Sequence, residues 1–91
     1  MNLRKFAHMQ TCKVRLENIC NHNPETVVLA HWRQTGISGL GFKSPDILGA
    51  HACSTCHAHV DAHHDEATQL AFAKGIFRTI NALVEDGVIH W

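Results

Sequence analysis

Cysteine and histidine side chains give this sequence its clearest capacity for chemistry, because both bind transition metals. The chain of 91 residues contains four cysteines and nine histidines. Cys53 and Cys56 form a Cys-x-x-Cys pair. At that spacing, a turn into a helix points two thiolates at one ion, and the helix N-terminus favours their negative charge. The alternative, a thioredoxin-like redox dithiol, expects a βαβ context that the sequence lacks.

A complete zinc site needs two more ligands, and Cys12 and Cys20 are the remaining cysteines. They are well separated along the chain, so both can reach one ion only if the segment between them doubles back through Glu17 and Asn18. With that turn, the four sulfurs predict one tetrahedral, structural zinc ion per chain. The alternative is that Cys12 or Cys20 is a buried free cysteine. A structural ion also suits so short a chain, whose core alone gives little stability.

The beginning of the sequence bears on where the cysteines would stay reduced. The stretch from Met1 to His8 is followed by no apolar run long enough for a signal peptide. We therefore predict a cytoplasmic protein, and rank a disulfide-stabilised secreted domain well below the metal-binding alternatives. No run approaches the roughly 18 apolar residues that suggest a membrane span, so no membrane partner is predicted.

A second group of candidate ligands follows the Cys-x-x-Cys pair. His57 comes directly after Cys56, and Asp61 and His64 lie four and seven residues further on. On a helix, these three residues share one face. We expect His31 to arrive from a strand end facing the helix start, which would complete an open site for a divalent ion. Most other histidines are expected to be solvated, whereas His51 is either a core residue or part of a cation patch.

These side chains must be positioned by a small α+β fold, predicted as a single domain over residues 1–91. β-Branched or alternating residues predict strands, and apolar residues at 3.6-residue spacing from Ala73 through Phe77 to Val84 predict an amphipathic C-terminal helix. Gly87 would end that helix. The predicted elements are a helical turn at 3–9, strands at 12–16, 26–30 and 47–52, a glycine-bearing loop at 32–45, and helix from 54 onward, either bent or broken near 63–65.

The formal charge is zero, but the two halves of the chain differ in sign. The first half is basic and could contact phosphate groups, while acids and histidines of the second half could hold cations. Ordinary solvated charge is the alternative. The candidate phosphate contacts are Arg4, Lys5, Lys13, Arg15, Arg33 and Lys43.

The same residues carry a family resemblance. A strand that ends in His31, a glycine-bearing loop, Pro45-Asp46 and then Cys53-x-x-Cys56-His57 resemble the HNH, or ββα-metal, nuclease motif. More narrowly, the chain resembles the YbcO-like family of prophage-encoded nucleases, thought to be related to the phage recombination nuclease Ref, over about residues 3 to 65. The matching segments are Cys12-x7-Cys20-Asn21, Asn23-Pro24-Glu25-Thr26, Leu29-Ala30-His31, Pro45-Asp46 and Ala52-Cys53-x-x-Cys56-His57.

The resemblance implies a role for each matching position. It implies that His31 is the general base that takes a proton from water, and that His57 is a ligand of a catalytic divalent ion. Asp46 stands near the place of a central Asn that orients the first His. The chain departs from the motif in this Asp and in Ala30, where many members have a metal-binding Asp or His. Asp61 or His64 would then complete the metal shell.

We therefore predict a small zinc-stapled ββα-metal domain that hydrolyses phosphodiester bonds in DNA, with Mg²⁺, Mn²⁺ or another divalent ion as the catalytic cofactor. The resemblance also implies a role in recombination or DNA processing, with a recombination protein as a partner. The alternative function is a non-catalytic zinc-binding adaptor for DNA or protein on the same scaffold.

Overall fold

A short antiparallel pair of strands, packed with helices, forms the architecture. A computed structural model describes residues 2–33 and 44–89 of the chain. In chain order, its helices and strands are α1 (Leu3–Ala7), β1 (Val28–His31), β2 (Gly49–Ala52), α2 (Ser54–Ala62) and α3 (Glu66–Glu85). Two 3₁₀ turns, Pro24–Thr26 and Asp46–Leu48, precede the strands. The predicted α+β class and the additional C-terminal helix are confirmed.

The two strands pair in a register that sets the distance between the candidate sites. Val28 pairs with Ala52 and His31 pairs with Gly49. All four residues of β2 are buried, and three of them are glycine or alanine, which lets α3 pack closely on this strand. Between them lies His51, whose ring is 1% exposed. Burial lowers the pKa of His51 to about 4, so this residue is a neutral member of the core and not part of a cation patch.

Two helices, rather than one bent helix, follow β2. The helix α2 ends at Ala62, and Asp65 then caps α3 by accepting hydrogen bonds from the backbone N–H and the hydroxyl of Thr68, at 3.1 and 2.9 Å. At the other end of α3, Gly87 adopts a left-handed φ of 72°, as its predicted place beyond the helix requires.

The buried face of α3 differs slightly from the predicted stripe. Phe72, Ile76 and Leu83 are buried, and the ring of Phe72 packs at a tilt of 51° against Trp32, with ring centroids 5.3 Å apart. Phe77, predicted on the apolar face, is 69% exposed. The face that packs on β2 also includes Thr79, whose hydroxyl accepts the N–H of His51 at 3.0 Å.

The segment between α1 and β1 contains the clearest error of sequence interpretation. The strand predicted at residues 12–16 is wrong, because Arg15 and Asn18 adopt left-handed φ angles of 53° and 63° and turn the chain. The N–H of Cys20 donates to the carbonyl of Leu16 at 2.9 Å and closes the turn that brings the first two cysteines together.

The other boundaries move by one or two residues. The strand predicted at 26–30 is β1, and the strand predicted at 47–52 begins at Gly49 because the preceding residues form a 3₁₀ turn. The helical turn predicted at 3–9 is α1, capped by the side chain of Asn2. Most of the predicted 32–45 loop lies outside the described residues. No helix of the described ranges has the length and apolar character needed to cross a membrane.

Candidate functional site

The four cysteines converge on one point. Every pair of their sulfur atoms lies within 4.8 Å, and the Sγ atoms of Cys20 and Cys53 are 3.8 Å apart. Sulfurs bound to zinc at about 2.3 Å in a tetrahedron would be about 3.8 Å from one another, so the arrangement fits a tetrahedral ion. None of the cysteines forms a disulfide. The predicted grouping of Cys12, Cys20, Cys53 and Cys56 is therefore confirmed as a candidate metal centre.

Backbone N–H groups point at the sulfur atoms of two of these residues. The N–H of Cys56 lies 3.5 Å from Cys53 Sγ at the start of α2, and the N–H of Arg15 lies 3.5 Å from Cys12 Sγ. Such donors stabilise thiolates, and they orient them towards a shared cation. The left-handed backbone at Arg15 aims its N–H at the sulfur, which a continuous strand would not do.

The electrostatics of the cluster also suit a cation. Burial opposes ionisation of Cys53, but its 3.3 Å contact with Thr55 Oγ1 and the hydrogen bond from the N–H of Cys56 lower the pKa of Cys53 to about 6. Burial raises the pKa of the Cys56 thiol, and the nearby sulfurs of Cys53 and Cys12 raise it further. Several buried thiolates repel one another without a positive charge between them, and a divalent ion removes that repulsion.

A polar network that the sequence did not reveal braces this centre. The hydroxyl of Thr55 donates to the carbonyl of Ile19 at 2.7 Å, which ties the loop before Cys20 to α2. The side-chain amide of Asn21 donates to Ser54 at 3.0 Å. His22, expected to be solvated, places Nδ1 3.7 Å from Cys20 Sγ. In the sequence, only the position of His22 two residues after Cys20 points to this contact.

A second polar group lies at the end of β1. His31 Nε2 is 2.7 Å from Asp46 Oδ1, and the side chains are 13% and 36% exposed. Arg4 on α1 donates from Nε to the same carboxylate oxygen at 3.3 Å. The hydrogen bond from His31, followed by the charge of Arg4, lowers the pKa of Asp46 below its ordinary value. The carboxylate therefore stays ionised and acts as an acceptor.

The helical pair His57 and Asp61 forms a third group. His57 Nε2 lies 3.3 Å from Asp61 Oδ2, and the side chains are 33% and 45% exposed. His64 does not share their face, because α2 ends at Ala62. Within residues 2–33 and 44–89, the four cysteines are the one set of three or more candidate ligands close enough to share an ion.

The register corrects one expectation about His31. Ala52 leads into the helix start and pairs with Val28, whereas His31 pairs with Gly49 at the opposite end of the hairpin. Three residues of a strand span about 10 Å, so the backbone of His31 lies about that far along the hairpin from the strand end that leads into α2.

The candidate phosphate contacts do not form one surface. Arg4, Lys5 and Arg33 are exposed, and the first two lie on α1, which packs on β1. Lys13 is 9% exposed, and its Nζ donates to the carbonyl of Thr11 at 3.2 Å. A buried ammonium is not available to an external phosphate, so Lys13 is unsuited to that role. Arg15 is exposed, and its Nε donates to the carbonyl of Cys12 at 3.1 Å. The last candidate, Lys43, lies outside the described residues.

Comparison with known proteins gives consistent matches over nearly the whole chain. Residues 1–88 match the family described as "Putative nuclease YbcO". Two relatives of that description, one from Escherichia coli strain K12 and one from Enterobacteria phage 82, are each 42% identical over 93 residues, which covers 97% of this chain and 96% of theirs.

A solved structure has the same fold. It is described as a putative bacteriophage protein from Escherichia coli K-12 MG1655, and it is 37% identical to this chain. The TM-score is 0.77, and the match covers 94% of this chain and all of the other.

Proposed function

Because the chain belongs to the family described as "Putative nuclease YbcO", we propose that it is a metal-dependent endonuclease that hydrolyses phosphodiester bonds in DNA. The observation that carries the proposal is the contact between His31 Nε2 and Asp46 Oδ1 at the end of β1. A largely buried imidazole held by an ionised carboxylate is a common arrangement for a general base.

The proton positions on His31 follow from the state of its partner. The Asp46 carboxylate is ionised, because its pKa is lowered, and can only accept a hydrogen bond. His31 Nε2 must then carry a proton, and Nδ1 is the nitrogen that would act as the base. In the proposed reaction, Nδ1 takes a proton from water as the water oxygen bonds to phosphorus and the leaving oxygen departs.

The catalytic ion would be held by His57 and Asp61. The Asp61 carboxylate suits Mg²⁺ or Mn²⁺, which keep several water ligands and need few from the protein. The imidazole of His57, 3.3 Å from that carboxylate, would favour Mn²⁺ or another transition-metal ion over Mg²⁺. A bound divalent ion would neutralise charge that develops on the phosphate. His64 is left out of this set, since it lies beyond the end of α2.

The four cysteines would have a different task. Their zinc would fix the loop from Cys12 to Cys20 against the start of α2, and hence the position of His57 one residue after Cys56. The β1–β2–α2 order agrees with the HNH, or ββα-metal, arrangement, which we propose as the class of the domain.

The proposed substrate contacts begin on α1. Arg4 lies beside Asp46, and Lys5 follows it on α1 as an exposed side chain. These charges would hold a phosphate without selecting a sequence. The relative in phage 82 is phage-encoded, and we propose a role in recombination or DNA processing on that basis.

A plasmid-cleavage assay tests the proposal. The zinc-loaded protein is incubated with supercoiled plasmid and a titration of MgCl₂ or MnCl₂, with a His31→Ala variant as the matched control. Nicked or linear product that requires the added metal and His31 would support the nuclease. Absence of cleavage with every metal, in protein that retains its zinc and binds DNA, would instead support the non-catalytic adaptor.

A further inference from the structure

A groove with three positive side chains lies between α3 and the loop that carries Cys12. It has a volume of about 290 Å³ and includes Arg15, Lys74 and Arg78 among its lining residues. The apolar part of the lining comes from small residues such as Val14 and from Leu70, which is 57% exposed. We call this feature the α3 groove. It shares no residue with the His31–Asp46 or His57–Asp61 pairs.

Backbone carbonyls, not carboxylates, are the partners that the described residues give to the arginines of the α3 groove. Within the described parts of the chain, Arg15, Lys74 and Arg78 form no ion pair with a carboxylate. The two arginines bond to backbone carbonyls instead: Arg15 Nε donates to Cys12 at 3.1 Å, and Arg78 Nη1 donates to Lys13 at 2.9 Å. These bonds hold the guanidinium groups but leave their charge available. Glu85 lies on an adjoining surface that also includes Arg15 and Arg78, and its carboxylate accepts a hydrogen bond from Asn81 at 3.2 Å.

The groove is built by close packing of the loop on α3. A Cβ atom placed on Gly75 would lie 2.9 Å from Val14 Cγ2 and 3.0 Å from Val14 Cα, so only glycine lets the loop come this close. Cys12, two residues before Val14, belongs to the four-cysteine cluster. A metal ion at that cluster would thus help to hold Arg15 opposite Lys74 and Arg78.

The spacing and chemistry of the groove favour a phosphate backbone as its occupant. Lys74 and Arg78 are four residues apart on a helix, about 6 Å along its axis, and Arg15 adds a third charge from the facing wall. Arginine forks bind phosphate oxygens in pairs. The apolar part of the lining, from Val14, Ala67, Leu70 and Ala71, offers no hydrogen-bonding group to base edges.

We propose that the α3 groove binds backbone phosphates of DNA away from the bond that is cut. The inference rests on the proposed function for the identity of the polyanion. It adds a second contact surface that extends the footprint of the protein, and that contributes to affinity and not to the chemical step. An acidic protein surface is the competing occupant, and it would be expected to use the exposed Leu70 as well.

The test measures binding without cleavage. Zinc-loaded His31→Ala protein and the same protein with an added substitution are titrated into fluorescein-labelled duplexes of unrelated sequence, without magnesium or manganese, over a range of salt concentrations. Anisotropy gives Kd and its salt dependence. Circular dichroism and zinc content verify that each variant is folded.

We expect Lys74→Gln to weaken binding roughly tenfold for every sequence, the value of one charged hydrogen bond. The slope of log K against log salt should fall by about 1. Lys74→Arg, which keeps the charge, and Leu70→Gln, which removes only apolar surface, should retain the affinity.

Two results would overturn the inference. One is DNA binding that is indifferent to Lys74→Gln and to Lys74→Glu. The other is the absence of DNA binding by the folded protein, which would favour an acidic protein partner. Failure of the proposed function is distinct from both: binding that depends on Lys74 without cleavage by the parent would refute the nuclease and retain the groove. Cleavage by the parent with unchanged binding in the Lys74 variants would refute the role of the groove and retain the nuclease.

Discussion

His31 Nε2 lies 2.7 Å from Asp46 Oδ1, although 15 positions separate the two residues in the sequence. His31 ends β1, and Asp46 begins the 3₁₀ turn that leads into β2. The antiparallel pairing of the strands therefore brings them to the same end of the hairpin, where Arg4 joins them from α1. Three short elements therefore contribute to this group of side chains: α1, β1 and the 3₁₀ turn before β2.

The first prediction concerns that contact. His31→Ala should lower the rate of cleavage by about a hundredfold to ten-thousandfold, the typical cost of losing a general base, and leave zinc content unchanged. Asp46→Asn should lower the rate less than Asp46→Ala, because the amide oxygen still accepts a hydrogen bond from His31. Single-turnover cleavage at saturating metal gives the rates. Full activity in His31→Ala would refute the assignment of the base.

The second prediction separates metal binding from chemistry. His57→Ala and Asp61→Ala should raise the Mg²⁺ or Mn²⁺ concentration needed for half-maximal cleavage, because each removes one of two proposed protein ligands. His64→Ala should leave that concentration unchanged, since His64 lies beyond the end of α2. Like His57→Ala, this control replaces a histidine by alanine, and the two positions lie close together in the sequence. An equal effect of all three variants would show that the metal is held elsewhere.

The third prediction concerns the four-cysteine centre. Zinc should copurify at about one ion per chain. Cys12→Ser and Cys53→Ser should both abolish zinc binding and cooperative unfolding, because structural zinc supplies much of the folding free energy of so small a domain. Metal analysis and thermal denaturation give the measurement. A Cys12→Ser protein with full zinc content would show that Cys12 is not a ligand.

Parts of this structure follow from local sequence. Asp65 explains why the helical stretch breaks where it does, since its side chain caps α3, and Gly87 supplies the left-handed residue at the other end. The convergence of the Cys53 and Cys56 side chains is also local, because the turn into α2 brings them together. Such features depend on residues within one turn of one another, which is why they can be predicted.

The errors arise where distant contacts override local preference. Cys12, Val14 and Leu16 alternate as a strand would, yet the chain turns at Arg15 so that Cys12 meets the other three cysteines. The strand register, which sets His31 at the end of the hairpin away from the helix start, depends on which residues pair across the sheet. No spacing within the sequence specifies that choice.

The polar partners of the site are equally non-local. Arg4 was expected to contact phosphate, and its bond to Asp46 joins residues on α1 and in the turn before β2. The hydroxyl of Thr55 reaches the carbonyl of Ile19 across a similar gap. The two residues of each pair belong to no common sequence motif, because their contact depends on how whole elements pack.

The last prediction tests the packing of the cysteine loop on α3. Gly75→Ala should destabilise the protein although alanine is the better helix former by about 1 kcal/mol. The new Cβ would lie 3.0 Å from Val14 Cα and 3.2 Å from the carbonyl oxygen of Lys13, so backbone must move to admit it. Overpacking of this kind costs about 1–3 kcal/mol.

The displacement should extend to the metal, because Cys12 lies two residues before Val14 on the same loop. We therefore expect Gly75→Ala to lower zinc affinity together with the thermal midpoint, measured by competition with a chromogenic chelator. Ala73→Gly supplies a control. It lowers the helix propensity of α3 two residues away, and it adds no atom towards Val14. Loss of stability in Gly75→Ala with unchanged zinc affinity would indicate that the loop and the metal centre are not coupled.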